Sequence, residues 1–122
     1  MVCAIVFSVL ALSASGAVPA AAESLAGQAS VIDGDTMEIH GQRIRLFGID
    51  AVESRQRCIR GGKQWNCGKD SAFALADRIG RSAIDCRSVE RDCYGRLVAV
   101  CFKGAEDLNR WMVEQGWAVA YR

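Results

Sequence analysis

Between residues 28 and 49 apolar and polar positions alternate with a period of two, the pattern of half-buried strands. Gln28 to Ile32 predicts a short strand, Asp33-Gly34 a turn, and Thr36 to His40 a second strand with Met37 and Ile39 on one face. Gly41-Gln42 suits a two-residue loop with glycine first, and Arg43 to Ile49 forms the return strand with Ile44 and Leu46 apolar. The alternation then lapses. Glu53 to Lys69 is polar, carries glycines and cysteines, and predicts a long loop. A helical period follows, with Asp70 as N-cap, Ala72, Phe73, Ala76 and Ile79 near one stripe, and Gly80 as the stop. Ala83 to Val89 and Leu97 to Phe102 predict a second hairpin around Asp92-Cys93-Tyr94-Gly95. Asp107 then caps a last helix that turns Leu108, Trp111 and Met112 inward and ends at Gly116. The predicted order is β-β-β-α-β-β-α. Five strands with one helix after the third suit a small curved sheet closed into a barrel, an α+β fold that is mainly β.

The first twenty-two residues break this pattern. No charge occurs before Glu23, Val2 to Val18 is apolar or small, and Ala20-Ala21-Ala22 follows Pro19 as an A-x-A signal. Residues 1–22 are therefore expected to be a secretory signal peptide, and residues 23–122 the working domain, secreted or periplasmic and away from the membrane once the leader is removed. Export changes how cysteines are read, because thiols pair in an oxidising compartment. Cys58 and Cys67 bracket a loop short enough to close locally, while Cys86 and Cys101 fall on facing strands about the Cys93-Tyr94 turn; both pairs are expected as disulfides, with Cys93 outside them. A zinc site has little support, since the chain has one histidine, His40, and no C-x-x-C pair. Composition adds less. With 122 residues and 51% apolar positions the chain has room for one domain and one core. Its formal net charge of +1 gives no global electrostatic footprint for nucleic acid. Twelve of the fifteen cations are Arg, the residue whose planar fork suits phosphate and carboxylate.

The candidate chemistry lies where the first hairpin ends. If Gly41-Gln42 is the turn, Ile39 faces Ile44, Met37 faces Leu46 and Asp35 faces Gly48. Asp50 then shares a face with Gly48 and becomes the diagonal neighbour of Asp35, roughly 7–8 Å away between backbones. Two carboxylates aimed at one spot repel unless one is protonated or a cation lies between them. Oxygen-only ligands favour a hard cation such as Ca²⁺ or Mg²⁺, bound weakly with the help of a backbone carbonyl and water. The plainer reading is that Asp33-Gly34-Asp35-Thr36 is only a turn. Glu53, three residues past Asp50, tips the balance, being close enough to hold or deprotonate a water. Arg45 and other arginines could take phosphate oxygens. Strand parity puts Arg45 on the face opposite Asp35.

These residues resemble the thermonuclease (staphylococcal nuclease-like) family from about Ser24 to Arg122. Asp33-Gly34-Asp35-Thr36 is similar to the family's D-G-D-T strand, and Arg45 through Asp50 to Glu53 to its R-x-x-x-x-D-x-P-E stretch. Asp92-Cys93-Tyr94-Gly95-Arg96 is similar to D-[KR]-Y-G-R, and Asp107-Leu108-Asn109 through Gly116-Trp117-Ala118 to the following helix and tail. The resemblance implies a five-stranded OB-fold barrel with two helices here, the family's third helix being absent from the sequence. It also implies a calcium-dependent nuclease that hydrolyses phosphodiesters of DNA and RNA with little sequence preference. Carried over by position, Asp35 and Asp50 bind Ca²⁺ by side chain and Ala51 by its carbonyl, Glu53 is the general base or water-orienting group, and Arg45 and Arg96 bind the phosphate and stabilise its transition state. The expected partner is a nucleic acid substrate, with no stable protein partner and a monomeric chain. Val52 stands where the family has Pro, and Cys93 where it has a basic residue. The rival expectations are a noncatalytic OB-fold module that binds nucleic acid or protein, and a truncated relative that has lost activity.

Overall fold

A computed structural model describes residues 23–121; the expected signal peptide lies outside the described residues. The strands are β1 (Ser24–Gly27), β2 (Ala29–Asp33), β3 (Thr36–Ile39), β4 (Gln42–Leu46), β5 (Ile49–Ala51), β6 (Cys58–Arg60) and β7 (Lys63–Trp65), followed by helix α1 (Cys67–Ile79). Then come β8 (Ile84–Arg91), β9 (Leu97–Lys103), β10 (Glu106–Asp107), α2 (Leu108–Glu114) and β11 (Ala118–Ala120). The main sheet runs β1-β8-β9-β4-β3-β2, with β10 added to β9. Only Gln28 separates β1 from β2, so the two edges of this sheet are consecutive halves of one bent run. The sheet therefore curls back on itself, both of its edges being carried by one run, which leaves little open edge. Counting β1 and β2 as one, its members are the five strands expected, and the fold is α+β and mainly β, of the OB type. The pair β4·β9 is parallel and the others are antiparallel.

Apolar alternation builds the core. Met37, Ile39, Ile44 and Leu46 are fully buried, and Ile84, Cys86, Ala99 and Cys101 meet them from β8 and β9. Leu75 and Ile79 of α1 and Leu108 and Met112 of α2 complete the cluster. Both expected disulfides are present, Cys58–Cys67 and Cys86–Cys101, the latter joining residues that pair directly across β8 and β9. Cys93, expected outside both pairings, is not a free thiol either.

Three sequence expectations shift. The first hairpin turns at His40-Gly41, both with positive φ, so Met37 faces Ile44 and Ile39 faces Gln42. The primed turn matches the twist of the strands, and partners slip by two positions, which leaves the buried face unchanged. The loop expected over residues 53–69 contains the β6–β7 hairpin, turned by Gly61-Gly62 and closed by Cys58–Cys67. Helix α1 begins at Cys67 rather than after Asp70, because the amide of Gly68 donates to Gln56 O at 3.1 Å and draws the first turn against the preceding loop. Its buried stripe is Gly68, Ser71, Leu75 and Ile79, which turns Phe73 outward to 58% exposure. Among the described residues no helix is long and apolar enough to cross a membrane.

Candidate active site

Asp35 sits in the turn entering β3, with its side chain only 7% exposed. A buried carboxylate needs partners, and it has three. Thr36 Oγ1 donates to Oδ1 at 2.9 Å, the backbone amide of Ala51 donates to Oδ2 at 2.9 Å, and Arg45 pairs with Oδ2 through Nη1. The same guanidinium turns its Nη2 to Asp50 Oδ1 at 3.3 Å and to Ile49 O at 3.2 Å. Asp35 and Asp50 thus reach the same guanidinium, though not across one hairpin as expected: the return strand stops at Leu46 and Asp50 stands on β5, which pairs with β11. Burial opposes the charge on Arg45, but the hydrogen bond and charge of Asp35, with smaller contributions from Tyr121 and Asp50, outweigh it and hold its pKa above the ordinary value. Arg45 does not lie on the face opposite Asp35, as strand parity would have it, because Asp35 lies in a turn, where the two-residue period does not apply.

Asp50 is carried by β5, which pairs with β11 so that Asp50 stands opposite Val119. Its side chain is 64% exposed. The Phe47-Gly48 turn before β5 is held from below by Asn109. This buried side chain donates to Phe47 O at 2.9 Å and Ala99 O at 3.0 Å, and accepts from the Cys101 amide at 3.1 Å. Tyr121, whose amide donates to Gly48 O at 2.9 Å, closes the same turn from the other side.

Glu53 lies in the loop after β5, exposed, beside a cavity of about 570 Å³ that Asp50 and Ala51 also line. Its position is fixed by neighbours that sequence reasoning did not single out. Asp33 Oδ1 accepts from the amide of Ser54 at 2.7 Å, and Glu53 O accepts from the amide of Gln56 at 2.8 Å. Two glycines allow α1 to press against both turns. A Cβ on Gly34 would stand 2.0 Å from Ser71 Oγ, and one on Gly68 would stand 1.7 Å from Glu53 O. Each residue of Asp33-Gly34-Asp35 therefore does a separate job: anchoring the Glu53 loop, admitting α1, and holding Arg45. The D-G-D pattern was the signal for Asp33 and Gly34; nothing local to Gly68 or Asn109 announces their contacts.

Arg96 sits one residue before β9, where Val98 pairs with Arg45. Its Nε donates to Asp92 Oδ2 at 2.6 Å, its amide donates to Asp92 Oδ1 at 3.0 Å, and its guanidinium lies 5.5 Å from the Tyr94 ring centroid. Arg96 therefore braces its own loop, two positions before the residue paired with Arg45. For Asp92, burial raises the pKa, but the hydrogen bonds from Arg96 and Tyr94 and the charge of Arg96 prevail and lower it.

A family model described as "Staphylococcal nuclease homologue" matches residues 43–122, a stretch that includes Arg45, Asp50, Glu53 and Arg96. The chain belongs to this family. This staphylococcal nuclease homologue is 48% identical over 102 residues to "Succinoglycan biosynthesis protein ExoI" of Rhizobium meliloti (strain 1021), covering 81% of the chain and 53% of that protein. It is 32% identical over 117 residues to "Protein ParB" of Escherichia coli, covering 85% of the chain and 61% of that protein. It is 30% identical over 118 residues to "Micrococcal nuclease" of Shigella flexneri, covering 86% of the chain and 63% of that protein. The homologue thus spans between half and two thirds of the length of the curated relatives it matches.

A cation in this homologue would have oxygen donors only, which suits a hard ion. Among the described residues no three His, Cys, Asp or Glu side chains cluster as a metal site, so two carboxylates and backbone oxygen would have to suffice. Asp50 is open to solvent, whereas both oxygens of Asp35 already accept hydrogen bonds or pair with Arg45. The donor set fits a weakly held ion that shares Asp35 with Arg45.

Proposed function

We propose that the chain is an exported, calcium-dependent nuclease that hydrolyses phosphodiester bonds of DNA and RNA with low sequence specificity. The observation that carries this reading is the convergence of Asp35 and Asp50 on one guanidinium, with Glu53 on the rim of the adjoining cavity. Asp35, Asp50 and the carbonyl of Ala51 would hold Ca²⁺. When bound, the ion supplies positive charge to the phosphodiester and acidifies water. Glu53, exposed beside the cavity, orients the attacking water and accepts its proton at the carboxylate. The guanidinium of Arg45 turns from its carboxylate partners towards phosphate oxygens and offsets the charge that grows on them. Arg96 holds a phosphate oxygen from the Asp92-Tyr94 loop and so orients the strand. Two disulfides support export, since such bridges persist in oxidising compartments.

The test is cleavage of single-stranded DNA with calcium, with a chelator, and with the Glu53→Gln variant. The expected outcome is calcium-stimulated cleavage that the chelator abolishes and Glu53→Gln cuts by roughly 100-fold or more, in line with general-base loss, while the variant still binds the DNA. Cleavage indifferent to Glu53→Gln would remove that residue from the mechanism. No cleavage at all would leave a binding module.

A further inference from the structure

The cavity beside Glu53 is lined by two indoles, Trp65 and Trp117, together with Asp50 and the Cys58–Cys67 bridge. At about 570 Å³ it falls in the range of small-molecule pockets. Both indoles sit on anchored backbone. Trp65 pairs across the β6–β7 hairpin with Cys58, whose bridge to Cys67 ties the hairpin to the first turn of α1. The carbonyl of Trp117 accepts from Ser71 Oγ at 3.2 Å, and its amide donates to Met112 O at 2.9 Å. A wall held this way loses little freedom when it takes a ligand. The segment that contains the hairpin also carries charge of one sign only. Residues 54–69 carry Arg55, Arg57, Arg60, Lys63 and Lys69, all exposed, and no acid, although the whole chain is close to neutral at +1. Arg60 lies over the Trp65 ring, 5.5 Å from its centroid.

We infer that this cavity is a nucleobase subsite: it takes one base of a single-stranded nucleic acid, stacked on Trp65 and Trp117, while the cations of residues 54–69 hold the flanking phosphates. The placement of that base next to the cleaved bond rests on the nuclease reading above. Stacking on an indole is indifferent to base identity, because every base has a π-face, and the cations contact only backbone. Duplex bases are stacked on their neighbours and reach such a pocket only after unpairing, so the subsite favours single strands.

Binding of a short fluorescein-labelled oligothymidylate to the full chain, without calcium so that nothing is cut, tests the inference by anisotropy. A matched oligonucleotide with abasic positions separates base from backbone. Trp65→Ala is expected to weaken oligothymidylate binding about ten-fold, within the range for losing one stacked base. It should leave the abasic strand unaffected and the melting temperature within a few degrees, and Trp65→Phe should restore most of the affinity. Equal affinity of the unmodified chain for the two strands, or an unchanged affinity of Trp65→Ala, would overturn the subsite. Equal losses on both strands would also overturn it, since the effect would then be structural or purely electrostatic. The two proposals fail separately. Calcium-dependent cleavage that Glu53→Gln abolishes, with Trp65→Ala binding normally, sinks only the subsite. Base-dependent binding through Trp65 without any cleavage sinks only the nuclease.

Discussion

Replacing Gly68 with alanine tests whether the start of α1 sets the position of Glu53. In an ordinary helix the change would gain up to about 1 kcal/mol, because glycine loses more backbone entropy on folding. Here the new Cβ would stand 1.7 Å from Glu53 O, 2.7 Å from Glu53 C and 2.9 Å from Ser54 C. Since real Cβ contacts essentially never fall below 3.0 Å, the Glu53 carbonyl must retreat by about 1.3 Å. All three atoms are backbone, so no rotamer change relieves the overlap. Overpacking of this kind costs about 1–3 kcal/mol, which leaves a net loss of up to about 2 kcal/mol after the full helix gain. For a domain of this size that lowers the melting temperature by up to roughly 15 °C. With Glu53 in the proposed role of general base, activity should suffer more, because a displacement of about 1 Å in a catalytic group can cost on the order of 100-fold in rate. The assays are thermal melting followed by circular dichroism and initial rates of single-stranded DNA cleavage at saturating calcium. We expect a folded Gly68→Ala protein with a rate roughly 100-fold lower and nearly normal DNA binding. A variant as stable and as active as the unmodified chain would refute the argument that α1 positions the Glu53 loop.

Three further outcomes follow from the same geometry. Arg45→Ala leaves the buried Asp35 carboxylate without its cation, a loss on the order of 3–5 kcal/mol for a buried pair. Calcium should raise the melting temperature of this variant more than that of the unmodified chain, and equal increments would show that the ion and Arg45 do not share Asp35. Asp92 has its pKa held below the ordinary aspartate value in the folded state, so its contribution to stability is present above that ordinary value and is lost as the pH falls through the folded pKa. The stability gap between the unmodified chain and Asp92→Asn should therefore narrow as the pH drops below the ordinary aspartate range, and a gap constant with pH would contradict the Arg96–Asp92 assignment. Asn109→Leu takes the partner from the Cys101 amide and the Phe47 carbonyl, each costing about 1–3 kcal/mol when left unpaired, while Ala99 O keeps the Phe47 amide, so chemical denaturation should show a loss of at least about 2 kcal/mol.

The alternation of Met37, Ile39, Ile44 and Leu46 made the inward face of the first hairpin legible, and it survived a misplaced turn because a slip of two positions preserves facing. The turn itself was misplaced because Gly41 invites a loop that starts on glycine, whereas His40 adopts positive φ ahead of it. Asp35 and Asp50 do reach one guanidinium, but not by the strand diagonal expected, because the return strand breaks at Phe47-Gly48 and Asp50 stands on β5; Arg45 between them was not legible, since strand periodicity says nothing about a residue in a turn. The β6–β7 hairpin was invisible to periodicity. Apart from half-buried Cys58 and Trp65 its residues are exposed, and what holds it is a Gly-Gly turn and a disulfide. Gly61-Gly62 was the available signal. The contacts of Gly34, Gly68 and Asn109 join residues far apart in the chain, and one sequence carries no trace of such distances.

The closure of the sheet through its bent first run sets an order of assembly. Ser24 must find Arg87, and Ile44 must find Leu97, whereas β8 and β9 are joined by a short turn and meet first. Cys86 and Cys101 face each other within that local pair, so oxidation can lock a template before either distant strand arrives. A bond formed early between Cys101 and Cys58 or Cys67 would instead sequester the strand to which β4 and β8 must both attach, so refolding yield should depend on thiol shuffling.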